Sequence, residues 1–140
     1  MDGSTSQRRP RTSSGPGRLL VLVYGIFALS AAARASVQIA TNFGEAPVAY
    51  LLSALAAVVY LLAAVGLGRS GPRARQLALV ACSVELIGVL TVGTVSVLRP
   101  DDFPDATVWS GYGEGYGFVP LVLPVLGLLW LRRTRPTAPA

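Results

Sequence analysis

Four apolar blocks, at 19–40, 47–67, 76–98 and 118–131, hold most of this chain's hydrophobic residues and almost none of its charges. Each of the first three is close to the roughly 20 residues a helix needs to cross about 30 Å of hydrocarbon. Lipid offers no partner for a bare backbone N–H or C=O, and the blocks lack the alternation of barrel strands, so they are read as helices. The fourth block alone reaches only about 21 Å as a helix. The expectation is that Tyr116 and Gly117 extend it to a span at 116–131, or that the bilayer thins locally, with Trp130 at the inner interface. Pro120 then falls in the first turn, where its missing donor costs nothing, and Pro124 removes one early bond and bends the helix mildly.

The balance of residue types points the same way. At 52% hydrophobic and 14% charged, the chain has little more than half the charge of a soluble domain, which is about a quarter charged. The connections at 41–46, 68–75 and 99–117 are short and force neighbouring helices to run antiparallel. The expected fold class is therefore all-α: a membrane-embedded antiparallel four-helix bundle over 18–133. It is flanked by a disordered cytoplasmic tail at 1–17, rich in Ser, Gly, Pro and Arg, and a second cytoplasmic tail at 134–140.

Arginine position gives sidedness. Arg8, Arg9, Arg11 and Arg18 precede the first span, Arg69, Arg73 and Arg75 follow the second, and Arg132, Arg133 and Arg135 follow the fourth. The opposite side has Arg99 with Glu45, Asp101, Asp102, Asp105 and Glu114. The positive-inside rule places both termini in the cytoplasm of a multi-pass protein of the cell membrane. Arginines of the tail can hold it near anionic headgroups, each worth about 1 kcal/mol close to the surface. A signal-peptide reading competes, with a small-residue site at Ala33 to Ala35. Against it, apolar character continues past Arg34 through Val37 and Ile39.

With no histidine in the chain, the usual histidine-based nucleophile systems and the common zinc and haem ligand sets are excluded. Cys82 is the one cysteine; within an apolar block it is read as a small hydrophobe without a redox role. No catalytic, cofactor-binding or metal residue is assigned.

Two ionisable residues remain inside the spans, Arg34 and Glu85, each costing about 2.5–3.5 kcal/mol at a helix centre. Helix rise puts Arg34 roughly 7 Å beyond the midplane and Glu85 roughly 3 Å short of it, a gap an arginine side chain can bridge. Ser30, Arg34, Gln38 and Asn42 recur every fourth residue, so they form one stripe expected to face protein or water rather than lipid. Tyr24, Tyr60, Cys82, Thr91 and Thr94 are candidates to share that interior. Arg34, Gln38 and Glu85 thus make a candidate intramembrane polar site. Three readings stand open: a buried ion pair fixing helix register, a polar pathway in which Glu85 binds a proton or cation, and an Arg34 that snorkels outward. Small residues of the second block (Ser53, Ala56, Ala57, Ala63, Ala64) permit close helix approach, within the chain or between copies.

In the long connection, glycine alternates with larger residues at Gly111, Gly113, Gly115 and Gly117, and Trp109, Tyr112 and Tyr116 favour the membrane interface. It is read as an interfacial loop anchored by those aromatics. Its GYG triplet lacks the pore helix and return of a potassium filter. Asp101, Asp102 and Asp105 lack the ordered spacing of a calcium loop.

With Arg34, Gln38, Glu85 and the FPDATVWSGYG…YGFVPLVLPVLGLLWLRR end in view, residues 18–133 resemble small four-span membrane proteins of actinobacteria. The resemblance implies membrane localisation and brings no reaction with it. The expected function is a non-enzymatic structural or accessory role through helix contacts, with the bilayer and a second copy or a membrane-protein partner as its company and no nucleic acid. The competing class is a small proton-coupled carrier using Arg34 and Glu85.

Overall fold

Prolines start the helices. The computed structural model describes residues 15–102 and 107–134, with no strand among them. Its long helices are α1 (Pro16–Asn42), α2 (Pro47–Gly68), α3 (Pro72–Leu98) and α4 (Val119–Arg133). Each carries proline in its first two positions, where the ring's fixed φ suits a helix and no donor is lost. For this reason α1 begins inside the expected tail and α3 inside the expected second connection. The remainder of the tail, residues 135–140 and Asp105 lie outside the described residues.

Contacts fix the directions. Gly68, ending α2, meets Val21 near the start of α1, and Gly66 packs on Ala74 and Ala78 near the start of α3. Leu19 and Trp130 line one groove, which brings the start of α1 to the end of α4. Consecutive helices therefore run antiparallel. Arg18, Arg69, Arg73, Arg75, Arg132 and Arg133 gather at one end, and Glu45, Arg99, Asp101 and Glu114 belong to the connections at the other.

Helical spacing selects what is buried. On α1 the stripe is Leu20, Tyr24, Ala28, Ala31 and Ala35; on α3 it is Ala78, Ala81, Cys82, Glu85, Val89 and Val92. These steps of three and four residues keep one face inward. The second helix touches both α1 and α3 and buries a wider face that includes Ser53, Ala56, Ala57, Ala63 and Ala64, so these small residues pack within the chain, while Ala54 and the edge of Ala57 also line a shallow groove beside α1. Large aliphatics point the other way: Leu22, Ile26 and Leu29, Leu51 and Leu55, Ile87, and Val122, Leu126 and Leu129 are all exposed. A belt of this kind is an aggregation hazard in water and an ordinary outer surface in lipid. Three helices are long and apolar enough to cross a membrane, and a fourth crossing is available if the bent segment before α4 counts with it. That is compatible with a multi-pass membrane protein.

The fourth helix departs from expectation. It starts at Val119, and Tyr116 and Gly117 do not extend it. Tyr116 belongs instead to a tight segment, Ser110–Tyr116, set at 98° to α4, and Gly117 caps its end in a left-handed conformation. The bend is made by Gly111, Tyr112 and Gly113, which take left-handed φ of 58°, 63° and 85°, and by Phe118, which takes 61° at the boundary. Glycine adopts these angles freely, whereas the two aromatics each cost about 1–2 kcal/mol. The segment is held to α3: Gly111 N–H donates to Ser96 Oγ at 2.8 Å, and the Tyr112 and Thr94 hydroxyls are bonded at 2.8 Å.

Candidate functional site

Glu85 is the central residue of α3, about 20 Å from either end by helix rise. Its place in the stripe between Cys82 and Val89 turns it inward, and it is 0% exposed. Neither carboxyl oxygen has a hydrogen bond of full geometry among the described residues, and the Tyr24 hydroxyl is the polar group near enough to interact with it. Tyr24, Tyr60 and Cys82 lie within electrostatic reach of it. The Tyr24 hydroxyl faces the carboxyl, and its hydrogen-bond geometry is satisfied by Cys82 Sγ at 3.6 Å. Room for this cluster comes from Gly127 of α4, where a Cβ would stand 2.8 Å from Cys82 Sγ.

Arginine 34 does not pair with it. Its guanidinium is exposed and donates to the Tyr116 hydroxyl at 2.7 Å. The expected stripe explains the difference. Ser30, Arg34 and Asn42 are exposed and Gln38 is half-buried, because packing on α2 selects the neighbouring Ala28, Ala31 and Ala35 face of α1 instead. Gln38 Oε1 is buried without a hydrogen-bond partner among the described residues. Of the other candidates, Tyr24, Tyr60 and Cys82 are inside, and Thr91 and Thr94 are exposed.

Between Glu85 and Arg34 stands a chain of rings drawn from α1, α2 and the connection before α4. Tyr24 meets Tyr60 at 6.0 Å, Phe27 sits edge-on to Tyr60 at 5.8 Å, and Phe27 meets Tyr116 at 5.8 Å. Trp109 completes it by donating its indole N–H to the Tyr60 hydroxyl at 3.0 Å. Of the three aromatics expected to anchor this connection at the interface, Trp109 is turned into the core instead, while Tyr112 and Tyr116 are half-buried. Trp109 is 1% exposed and lies on Gly88, whose missing side chain leaves the slot its ring fills. The signal available beforehand was a glycine at helical spacing from Glu85, which is common and points to no particular partner.

Chemically, the centre offers one carboxyl, two phenols and one thiol in an apolar wall, with a guanidinium and a phenol nearer the acidic end. A carboxylate held there without a counter-charge is costly, so the arrangement favours delivery of a positive charge to Glu85. This defines an all-helical chain with three to four candidate membrane spans around a buried carboxyl. Comparison with models of known protein families, with curated proteins and with solved structures finds no match.

Proposed function

We propose that this chain is an integral protein of the cell membrane, embedded as a four-helix bundle with both termini cytoplasmic, and that it carries a proton by way of Glu85. The observation behind this reading is the carboxyl at the centre of α3, buried with no hydrogen bond of full geometry among the described residues. A register-fixing ion pair would be expected to have its counter-charge beside it. Among the described residues Glu85 has instead the Tyr24 and Tyr60 hydroxyls and the Cys82 thiol near it, and Arg34 is bonded to Tyr116, as suits a site that loads and releases a proton. The orientation is supported by the one-sided arginines. We assign the chain no covalent chemistry.

Reconstitution in liposomes tests it. With an imposed potassium-diffusion potential, the wild-type chain is expected to acidify the lumen, and Glu85→Gln to fall to the rate of protein-free vesicles with its helical signal unchanged. Persistent flux in Glu85→Gln, or none in the wild type, defeats the carrier reading.

One observation favours a second reading, a structural or accessory component acting through helix contacts with a second copy or another membrane protein. A shallow groove of about 460 Å³ between α1 and α2 is lined mainly by Ala32, Ala35, Ser36, Ala40, Ala54 and Ala57, residues small enough to admit another helix. Crosslinking from Ser36→Cys in native membranes would capture that neighbour.

A further inference from the structure

The helices α1 and α4 meet least of all the neighbouring pairs, and at the arginine-rich end they leave a groove of about 660 Å³. That volume lies in the roughly 300–1,000 Å³ range of ligand pockets. Its walls are aliphatic, with Leu19 from α1 and Leu126 and Leu129 from α4, and its mouth carries Trp130, Arg132 and Arg133. The α4 wall is amphiphilic along one direction: two leucines, then an indole, then two guanidinium groups over its last two turns.

Neither Arg132 nor Arg133 is paired with a carboxylate among the described residues. The described carboxylates lie at the opposite end or, for Glu85, mid-helix. Tryptophan and arginine at such a level are the residues that settle at lipid headgroups, and basic residues between membrane helices recognise anionic ones. A purely apolar occupant would leave the guanidinium groups unused, and a free anion would leave the leucine walls bare. The two ligand requirements are met together only by an amphiphile with a negative head.

We propose that this groove holds one anionic phospholipid, its acyl chain along Leu19, Leu126 and Leu129 and its phosphate on Arg132 and Arg133. The site rests on the membrane placement of the helices and is independent of what Glu85 does, so it stands or falls without the flux experiment. Its effect on the fold is to bridge α1 and α4 at the arginine-rich end, below their contact at Tyr24 and Gly127.

Native mass spectrometry of the full chain in mild detergent tests it, with phosphatidylglycerol or phosphatidylcholine added at equal amounts. One bound phosphatidylglycerol is expected per chain, at least tenfold preferred over phosphatidylcholine. Arg132→Gln with Arg133→Gln should retain the helical signal and lose the preference, and Leu126→Trp should lose both lipids by filling the groove. Equal binding of the two lipids by the wild type overturns the proposal. So does an unchanged preference in the double variant, or displacement of the lipid by millimolar inorganic phosphate, which would mark a phosphate site without a lipid one.

Discussion

The indole N–H of Trp109 donates to the Tyr60 hydroxyl at 3.0 Å, and the two rings meet edge to face with centroids 6.5 Å apart. The bond ties the connection between α3 and α4 to the middle of α2, two elements otherwise separated by α3. It is also what brings Trp109 beneath the apolar surface, since a buried indole N–H needs an acceptor.

Removing the acceptor tests that tie. Tyr60→Phe keeps the ring and leaves the indole N–H unsatisfied, so it is expected to destabilise the fold by about 1–3 kcal/mol. Trp109→Ala, which also opens a cavity, should cost about 3–5 kcal/mol. Equilibrium unfolding in mixed micelles measures both. Should Tyr60→Phe match wild type, the bond would contribute nothing and the position of the connection would need another cause.

Glycine positions should separate by what faces them. A Cβ on Gly66 would stand 2.6 Å from the backbone N of Ala78, and backbone cannot yield, so Gly66→Ala must push α2 from α3 at a cost of about 1–3 kcal/mol. Gly88→Ala meets the Trp109 ring at 2.7 Å and is expected to expel it, visible as a red-shifted tryptophan emission. Gly25→Ala, with nothing within 4 Å, should be neutral or stabilising by up to about 1 kcal/mol. The same unfolding assay ranks the three, and a destabilised Gly25→Ala would contradict the packing described.

Glu85 should oppose stability. Replacing it by Met removes two buried oxygens that lack a hydrogen bond of full geometry among the described residues and is expected to raise the unfolding free energy by about 1–3 kcal/mol, together with loss of flux. Such exchange of stability for activity is common where a site is kept unsatisfied. A drop in stability would mean that the carboxyl is engaged in the folded protein.

How much of this was legible beforehand differs by element. The courses of α1, α2 and α3 follow from length and hydropathy, which act along a single segment. The start of α4 does not, because Gly111 and Gly113 adopt left-handed angles only once Ser96 and Thr94 hold the segment against α3. Glu85 was recognisable as anomalous from its type and place. Its partner was not, since whether Arg34 turns toward it depends on the rotation of α1, and that is set by Ala28, Ala31 and Ala35 against α2.

The separation of Arg34 from Glu85 has a thermodynamic signature. A register pair would couple strongly, so Arg34→Gln and Glu85→Gln together would differ from the sum of the single changes by 1 kcal/mol or more, on the order seen for residues in one network. With Arg34 bonded to Tyr116 and no hydrogen bond between Arg34 and Glu85, the two changes are expected to add within about 0.5 kcal/mol. The four-variant cycle, measured in one detergent, decides between the two arrangements.

Topology can be read with a single reactive thiol, because the one native cysteine, Cys82, is 0% exposed. Gly44 stands in open space in the connection after α1, and Ser70 is exposed in the connection after α2. The apolar helix Pro47–Gly68 separates them. If the arginine-rich end is cytoplasmic, a membrane-impermeant maleimide should label Gly44→Cys in intact cells and reach Ser70→Cys only after lysis. The reverse pattern would invert the orientation. Labelling of both from outside would mean that α2 does not cross the membrane, and the buried carboxyl would then need an explanation in water.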